Sequence, residues 1–142
     1  MPMSAKFPVS GYTKTGTLVY FARMCDKARL RASGQLPDDY HPYLGTGFDG
    51  RCCRFLGVEY EDIQRLIQEG LSDQALLDWC LAKGRKPNDE EIFIWNLFME
   101  KRGWRDDDSP TVAAEKLRLG LAHRDDIQTL MDLFDFEEGR RS

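Results

Sequence analysis

Two cations and a histidine–carboxylate pair are the residues of this sequence best suited to chemistry. Arg23 and Lys27 lie four residues apart in a segment with helical periodicity, so one helix would carry both charges on one line. His41 and Asp49 follow in the segment YHPYLGTGFDG. A histidine titrates near neutral pH and can act as a general acid or base, and a carboxylate can orient it. We therefore predict His41 and Asp49 as catalytic residues, with Arg23 and Lys27 holding an anionic group.

The same segment, residues 40–50, has the composition of a binding loop. Its aromatic side chains, Tyr40 among them, would supply apolar walls, and its three glycines would let the backbone bend sharply or approach a ligand. This composition indicates neither a regular helix nor a strand. The glycine spacing does not indicate a dinucleotide site, because no strand precedes it.

Two further polar residues interrupt apolar patterns. Arg29 falls inside the apolar stripe of the first predicted helix, where a buried guanidinium needs a partner. Asp26 is the nearest candidate, and Asp49 and Glu138 are alternatives. Asn96 is the uncharged polar residue of an otherwise apolar helix, and a buried amide needs a hydrogen-bond partner on another element.

Each of these residues also has a purely structural interpretation. Arg29 and Asn96 would then belong to a polar network that fixes the core, Arg23 and Lys27 would lie on a solvated face, and His41 would lie in a connecting loop. Two functions therefore stay open. One is a binder or enzyme that acts on a small anionic metabolite. The other is a regulatory or interaction module that docks through the aromatic stretch 40–48, which requires that stretch to lie outward as an apolar patch.

The elements that must position these residues are helices. Apolar residues recur at spacings of three and four, and no segment alternates as a strand does, so we predict an all-α bundle of about six helices with a glycine- and aromatic-rich loop after the first. The first two predicted helices cover about 15–32 and 59–69. The third begins after Ser72 and ends at Gly84, and a capping box at Asn88 begins the fourth. The fifth runs from Ser109-Pro110 through Leu121, and the sixth contains Ile127 and Phe134. Residues 92–99 are apolar almost all round, which predicts the centre of the bundle.

Composition and residue spacing argue against nucleic-acid-binding, membrane and metal-binding functions. The 142 residues suit one domain over 1–142, and the net charge of -4 argues against a nucleic-acid groove. No apolar run could span a bilayer and the amino-terminal residues MPMSAKFPVSGYTK lack the apolar region of a secretory signal, which predicts a cytoplasmic protein without a membrane partner. The four cysteines lack metal-site spacing, so we expect buried thiols, no metal and no cofactor. The oligomeric state stays open.

Several short blocks in fixed order carry a resemblance to a known family. They are RMCDKAR at 23–29, YH at 40–41, DG at 49–50, FLGV at 55–58, SD at 72–73, EIFIWN at 91–96 and EEGR at 137–140. Together they resemble a bacterial family of domains of unknown function, family 5069, over nearly the whole chain. The resemblance implies a bacterial source and a stand-alone domain, and it implies no reaction. The matching positions able to do chemistry are Arg23, Asp26, Lys27, Arg29, His41, Asp49, Trp95, Asn96, Glu138 and Arg140. We predict ligand binding by Arg23, Asp26, Lys27, Arg29, Tyr40, Trp95 and Asn96.

Overall fold

The structure of the protein is a computed structural model, and it describes residues 6–142. Within these residues it contains seven α-helices, one 3-10 helix and one two-stranded antiparallel hairpin. The predicted all-α class is therefore confirmed. The chain divides into two compact units, with the boundary between Ile92 and Phe93. The prediction of one domain over 1–142 stays a prediction.

The first unit contains the hairpin and most of the helices. Its elements are β1 (Lys14–Thr15), β2 (Leu18–Val19), α1 (Phe21–Ala32), the 3-10 helix (Asp38–Tyr43), α2 (Gly47–Leu56), α3 (Tyr60–Gln68) and α4 (Asp73–Lys83). α1 packs against α3, α4 and the hairpin. Fully buried apolar side chains from these elements, such as Phe21, Met24, Ile63 and Leu76, form its core. α1 is thus the element around which the first unit is built.

The second unit is smaller and wholly helical in its regular structure. The boundary falls inside α5 (Asp89–Lys101), which α6 (Ser109–Arg118) and α7 (Leu130–Glu137) follow. α6 packs against α7, and their core contains Val112, Leu121, Ile127 and Leu133. Among the described helices, none is both long enough and apolar enough to cross a bilayer.

The first predicted helix begins six residues too early. Residues 14–19 form the hairpin, in which Thr15 pairs with Leu18 around a turn at Gly16. Gly16 has φ 59°, a left-handed conformation that interrupts a right-handed helix and that glycine adopts at little cost. The buried Leu18 matches the helical stripe of α1 by spacing, although the hairpin presents it to the core.

The prediction that residues 40–50 lack regular structure was wrong. Residues up to Tyr43 form the 3-10 helix, and α2 begins at Gly47. The glycines act as turn residues between the two helices, since Gly45 has φ 73° and Gly47 φ 53°. Asp49 then lies in the first turn of α2, where a carboxylate meets the positive end of the helix dipole. This additional helix raises the number of α-helices from about six to seven.

The prediction that α5 lies at the centre of the bundle was also wrong. Trp95 and Met99 are buried, and Phe93 and Ile94 are 59% and 58% exposed. Leu97 and Phe98 are exposed too. α5 therefore buries one face and exposes an apolar face to solvent. A helix that is apolar on all sides need not be buried on all sides.

Local capping signals predicted helix starts more accurately. Ser72 accepts a hydrogen bond from the Ala75 N–H at the start of α4. Asn88 and Glu91 form the expected reciprocal capping bonds at the start of α5. α6 begins at Ser109, one residue before the predicted first helical position Pro110, and Asp108 takes the N-cap position expected for Ser109.

The turn after α4 depends on a glycine that touches the end of α2. A β-carbon on Gly84 would lie 2.0 Å from the Leu56 carbonyl oxygen and 2.8 Å from that of Gly57. The same approach allows the Arg85 N–H to donate to the Leu56 carbonyl at 2.9 Å. Only a residue without a side chain fits between these two backbone segments.

Replacing this glycine tests the packing of the first unit. We expect Gly84→Ala to lower the free energy of unfolding by about 3 kcal/mol, because two rigid backbones must separate. Gly70→Ala is the matched control, since Gly70 has φ 87° and open space around it; it should cost about 1 kcal/mol. Urea unfolding measures both, and equal losses would contradict the tight approach at Gly84.

Candidate functional site

Asp49 is a fully buried carboxylate that three donors from separate segments surround. The Tyr20 hydroxyl donates to Asp49 Oδ1 at 2.6 Å, and Lys27 Nζ lies 3.0 Å from the same oxygen. The Gly45 N–H donates to Oδ2 at 3.1 Å. Both carboxylate oxygens are thus hydrogen-bonded and a cation balances the charge, as burial of a carboxylate requires. We call Tyr20, Lys27 and Asp49 the polar cluster.

Helix geometry explains why these groups meet. Tyr20 immediately precedes α1 and Lys27 lies seven residues later, two turns along the same helix face. Lys27 Nζ also lies 3.4 Å from the Tyr20 hydroxyl oxygen. The left-handed turn at Gly45 folds the backbone back so that its N–H points to Asp49 in the first turn of α2.

Tyr20 has an unfavourable backbone conformation. Its φ is 77°, a value that non-glycine residues rarely adopt and that costs of order 1–3 kcal/mol. Its side chain is 2% exposed, and its ring packs edge-on against Phe48 with centroids 5.4 Å apart. Burial and the neighbouring Asp49 carboxylate raise the pKa of the Tyr20 hydroxyl well above 10, so the phenol stays protonated and donates.

Arg23 lies on the same face of α1 and is 3% exposed, and Lys27 is 7% exposed. The interpretation of Arg23 and Lys27 as a solvated face was therefore wrong. Arg23 Nη1 donates to the Val9 carbonyl at 3.1 Å, and the Val9 N–H donates to Asp26 at 2.9 Å. The segment before the hairpin thus contacts Arg23 and Asp26 of α1, a long-range contact that helical spacing does not reveal.

Arg29 was expected to be buried, but its side chain is 42% exposed. The expectation of a buried Arg29 was wrong, because the stripe of Phe21, Cys25 and Ala32 that suggested it is buried at its first two residues and exposed at Ala32. Its guanidinium binds Asp26 at 3.2 Å and Asp73 at 2.7 Å. Asp26 was the nearest candidate, and Asp73 was not considered; neither Asp49 nor Glu138 pairs with Arg29. This half-exposed network links α1 to the start of α4.

The structure does not pair His41 with Asp49 by a hydrogen bond. His41 Nε2 lies 3.1 Å from the Leu36 carbonyl oxygen and 3.9 Å from Asp38. The Asp49 carboxylate instead meets Tyr20, Lys27 and the Gly45 N–H. Tyr40 packs against Phe7, with ring centroids 6.2 Å apart. His41 is thus anchored to the 3-10 helix region instead of to the predicted carboxylate.

The remaining predicted residues belong to the second unit. Trp95 is buried and Asn96 is partly buried on α5. Glu138 is buried at the end of α7 and binds Arg140, which also binds Asp135. These carboxylates therefore meet a cation within the terminal segment.

Sequence reasoning missed two tyrosines and a glycine amide. Tyr20 gives no local signal, because nothing in the neighbouring residues announces a positive φ. Tyr60 has a buried hydroxyl that forms no hydrogen bond within the described residues, and its ring packs against Gly45. Burial and the Asp49 charge raise the pKa of Tyr60, so its phenol is a protonated donor. Only the glycine-rich turn hinted at the Gly45 amide.

A cleft of about 270 Å³ lies elsewhere in the first unit, between the hairpin, α4 and Ile92. Its walls include Leu18, Leu56, Leu77 and Leu81. None of the predicted site residues lines it. The cleft is apolar, in contrast to the polar cluster.

The four cysteines are buried free thiols, as expected. Burial raises the pKa of all four thiols, and those of Cys53 and Cys80 rise to about 12 from an ordinary value near 9. The thiols therefore stay protonated and unreactive at neutral pH.

Alkaline pH should destabilise the protein through these thiols and Tyr20. Below pH 9 the folded and unfolded states both hold the thiol protons. Between pH 9 and about 12 the unfolded state releases them and the folded state retains them, so the free energy of unfolding falls as pH rises. Urea unfolding from pH 8 to 11 should show this decline, and Cys53→Ala/Cys80→Ala should make it shallower. A flat profile would contradict burial of these groups.

Comparison with known proteins gives a family. The model of the family described as Domain of unknown function (DUF5069) matches residues 5–140, nearly the whole chain. No curated protein matches the chain. The polar cluster, Arg23 and His41 all fall inside the matched range. The chain therefore belongs to the DUF5069 family of domains of unknown function.

Proposed function

We propose that this protein binds a small anionic metabolite at Arg23, Lys27 and the polar cluster, between α1 and the turn before α2. The observation that carries the proposal is the burial of two cations one helical turn apart beside the buried Asp49 carboxylate. Such an arrangement is costly to desolvate and contributes little to stability compared with apolar packing. Costly ionisable groups cluster at functional sites more often than elsewhere.

Backbone strain at the same place supports the proposal. Tyr20 adopts φ 77° and supplies the shortest hydrogen bond to Asp49. Backbone strain persists only where many surrounding contacts hold the residue in the strained conformation, and such positions are typical of ligand sites. The strain and the buried ion pair coincide at one position of the fold.

The donors in and around the polar cluster suit a carboxylate or phosphate. Arg23 has a planar guanidinium that matches such groups through parallel hydrogen bonds. The Tyr60 hydroxyl is buried and has no acceptor within the described residues, and a ligand oxygen would satisfy it. Asp49 would keep Lys27 and Tyr20 in position.

Entry of a ligand would require movement of the segment that covers Arg23. Residues 6–13 contain no helix or strand, and Val9 attaches them to α1 through Asp26 and Arg23. Displacement of this segment would break the two hydrogen bonds of Val9 and expose the Arg23 side chain. An anion that replaces the Val9 carbonyl as the acceptor from Arg23 would compensate for one of them.

The alternative function, docking through the aromatic stretch 40–48, has less support. Tyr43 is 67% exposed, but Phe48 packs on Tyr20 and Tyr40 packs on Phe7. Two of the three aromatic rings of the stretch are thus half-buried against other rings, and only Tyr43 is an exposed ring. The free thiols are consistent with a reducing compartment, so we place the protein in the bacterial cytoplasm.

A thermal-shift screen against phosphorylated, carboxylated and nucleotide metabolites tests the proposal. A ligand at about a hundred times its dissociation constant should stabilise the protein by roughly 2.7 kcal/mol. Arg23→Ala and Tyr60→Phe should each abolish or weaken the shift. Tyr60→Phe is the sharper variant, because it removes an unsatisfied hydroxyl and should not reduce stability without ligand. A comparison of turnover with ligand binding in His41→Ala tests whether His41 also transfers a proton.

Arg31→Ala is the matched control, since Arg31 is an exposed cation on the same helix. It should leave the ligand-induced shift unchanged. Equal shifts in wild type, Arg23→Ala and Tyr60→Phe would place the ligand elsewhere and contradict the proposal. No shift with any compound would favour the docking function instead.

A further inference from the structure

The exposed apolar face of α5 has the geometry of a self-complementary contact. Phe93, Ile94, Leu97 and Phe98 are its four exposed large apolar residues. At 100° per residue they span about 140° of the helix circumference, opposite the buried Trp95 and Met99. The Arg102 guanidinium lies 5.4 Å from the Phe98 ring centroid, and the apolar face as a whole stays exposed to solvent, where a second helix could cover it.

Charged residues mark the two ends of this face with opposite sign. Glu90 lies one turn before Ile94, and Lys101 lies four residues after Leu97. The positions 90, 94, 97 and 101 follow the four-three-four spacing of a helix–helix seam. Neither Glu90 nor Lys101 forms an ion pair within residues 6–142, and the Lys101 ammonium lies 5.8 Å from the Trp104 ring centroid. Both charges are exposed and available to a partner.

The order of these residues is symmetric about the middle of α5. Glu90 and Lys101 are equidistant from the midpoint between residues 95 and 96, and so are Ile94 and Leu97, and Phe93 and Phe98. A second copy of α5 packed antiparallel about a twofold axis there would place Glu90 against the partner subunit's Lys101. It would also place Ile94 against the partner subunit's Leu97, with Phe93 and Phe98 flanking this contact on opposite sides. Each contact occurs twice, as an isologous interface requires.

We propose that the protein forms a twofold-symmetric dimer through antiparallel packing of α5 against α5. Burial of the apolar residues from both copies supplies the driving force. The two Glu90–Lys101 pairs fix the antiparallel register, because parallel packing would bring like charges together at both ends. The dimer is independent of the proposed ligand site.

Sedimentation velocity of the full chain over about a hundredfold range of concentration tests the dimer. The wild type should reach twice the 16.4 kDa chain mass. Ile94→Asp should raise the dimer dissociation constant by at least about a hundredfold, since it buries a charge against the partner subunit's Leu97. Leu117→Asp is the matched control, because Leu117 is 73% exposed on α6 outside this face, and it should leave the dimer unchanged.

Charge reversal tests the register. Glu90→Lys and Lys101→Glu should each weaken the dimer by about fivefold, and the double variant should restore wild-type association. A wild-type monomer at all concentrations would overturn the proposal, and so would a dimer that Ile94→Asp leaves intact. Failure of the double variant to recover association would overturn the antiparallel register.

Discussion

The complete burial of Asp49 is the constraint on which the arrangement of the first unit depends. A carboxylate removed from water must find donors for both oxygens and a cation for its charge. Here the donors come from the residue before α1, from the middle of α1 and from the turn before α2. This single side chain therefore fixes the position of α2 relative to α1. It also explains why the turn needs a left-handed Gly45 and why Tyr20 accepts an unfavourable φ.

The cost of this arrangement distinguishes it from ordinary core packing. The rest of the core of the first unit is formed by apolar side chains and neutral thiols, which need no partner when buried. Against that background, the polar cluster combines a buried ion pair, a strained backbone and a neighbouring unsatisfied phenol. A chain selected for stability alone has cheaper ways to fill the same volume. Ligand binding gives a physical reason for keeping polar groups there, as functional sites often do at the expense of stability.

Sequence reasoning succeeded where the interacting groups are close along the chain. Ser72 and Asn88 were identified as caps because each bonds to a residue three positions away. It failed where partners are distant. Lys27 is buried by Asp49, twenty-two residues on, and Arg23 by Val9, fourteen residues earlier, so neither burial follows from helical spacing.

The expected burial of Arg29 failed for a different reason. Phe21 and Cys25 of the stripe that contains it are buried, whereas Ala32 at the end of α1 is exposed, so the apolar stripe does not stay buried along the whole helix. In the predicted site, Lys27 and Asp49 do meet, and Arg29 binds Asp26 as expected and Asp73 in addition. His41 instead lies against the Leu36 carbonyl. The apolar residues of α5 illustrate the same limit, since composition does not say whether a neighbour or solvent covers a helix face.

The central claim is that the polar cluster is kept for function and not for stability, and an apolar replacement tests it most directly. The variant Tyr20→Phe/Lys27→Met/Asp49→Leu substitutes side chains of similar shape, and urea unfolding compares it with wild type. Lys27→Met alone is the control, because it leaves Asp49 buried without its cation and should cost about 3–5 kcal/mol. We expect the free energy of unfolding of the triple variant to lie within about 1 kcal/mol of the wild-type value or above it. A loss of more than about 3 kcal/mol in the triple variant would instead identify the polar cluster as a structural network.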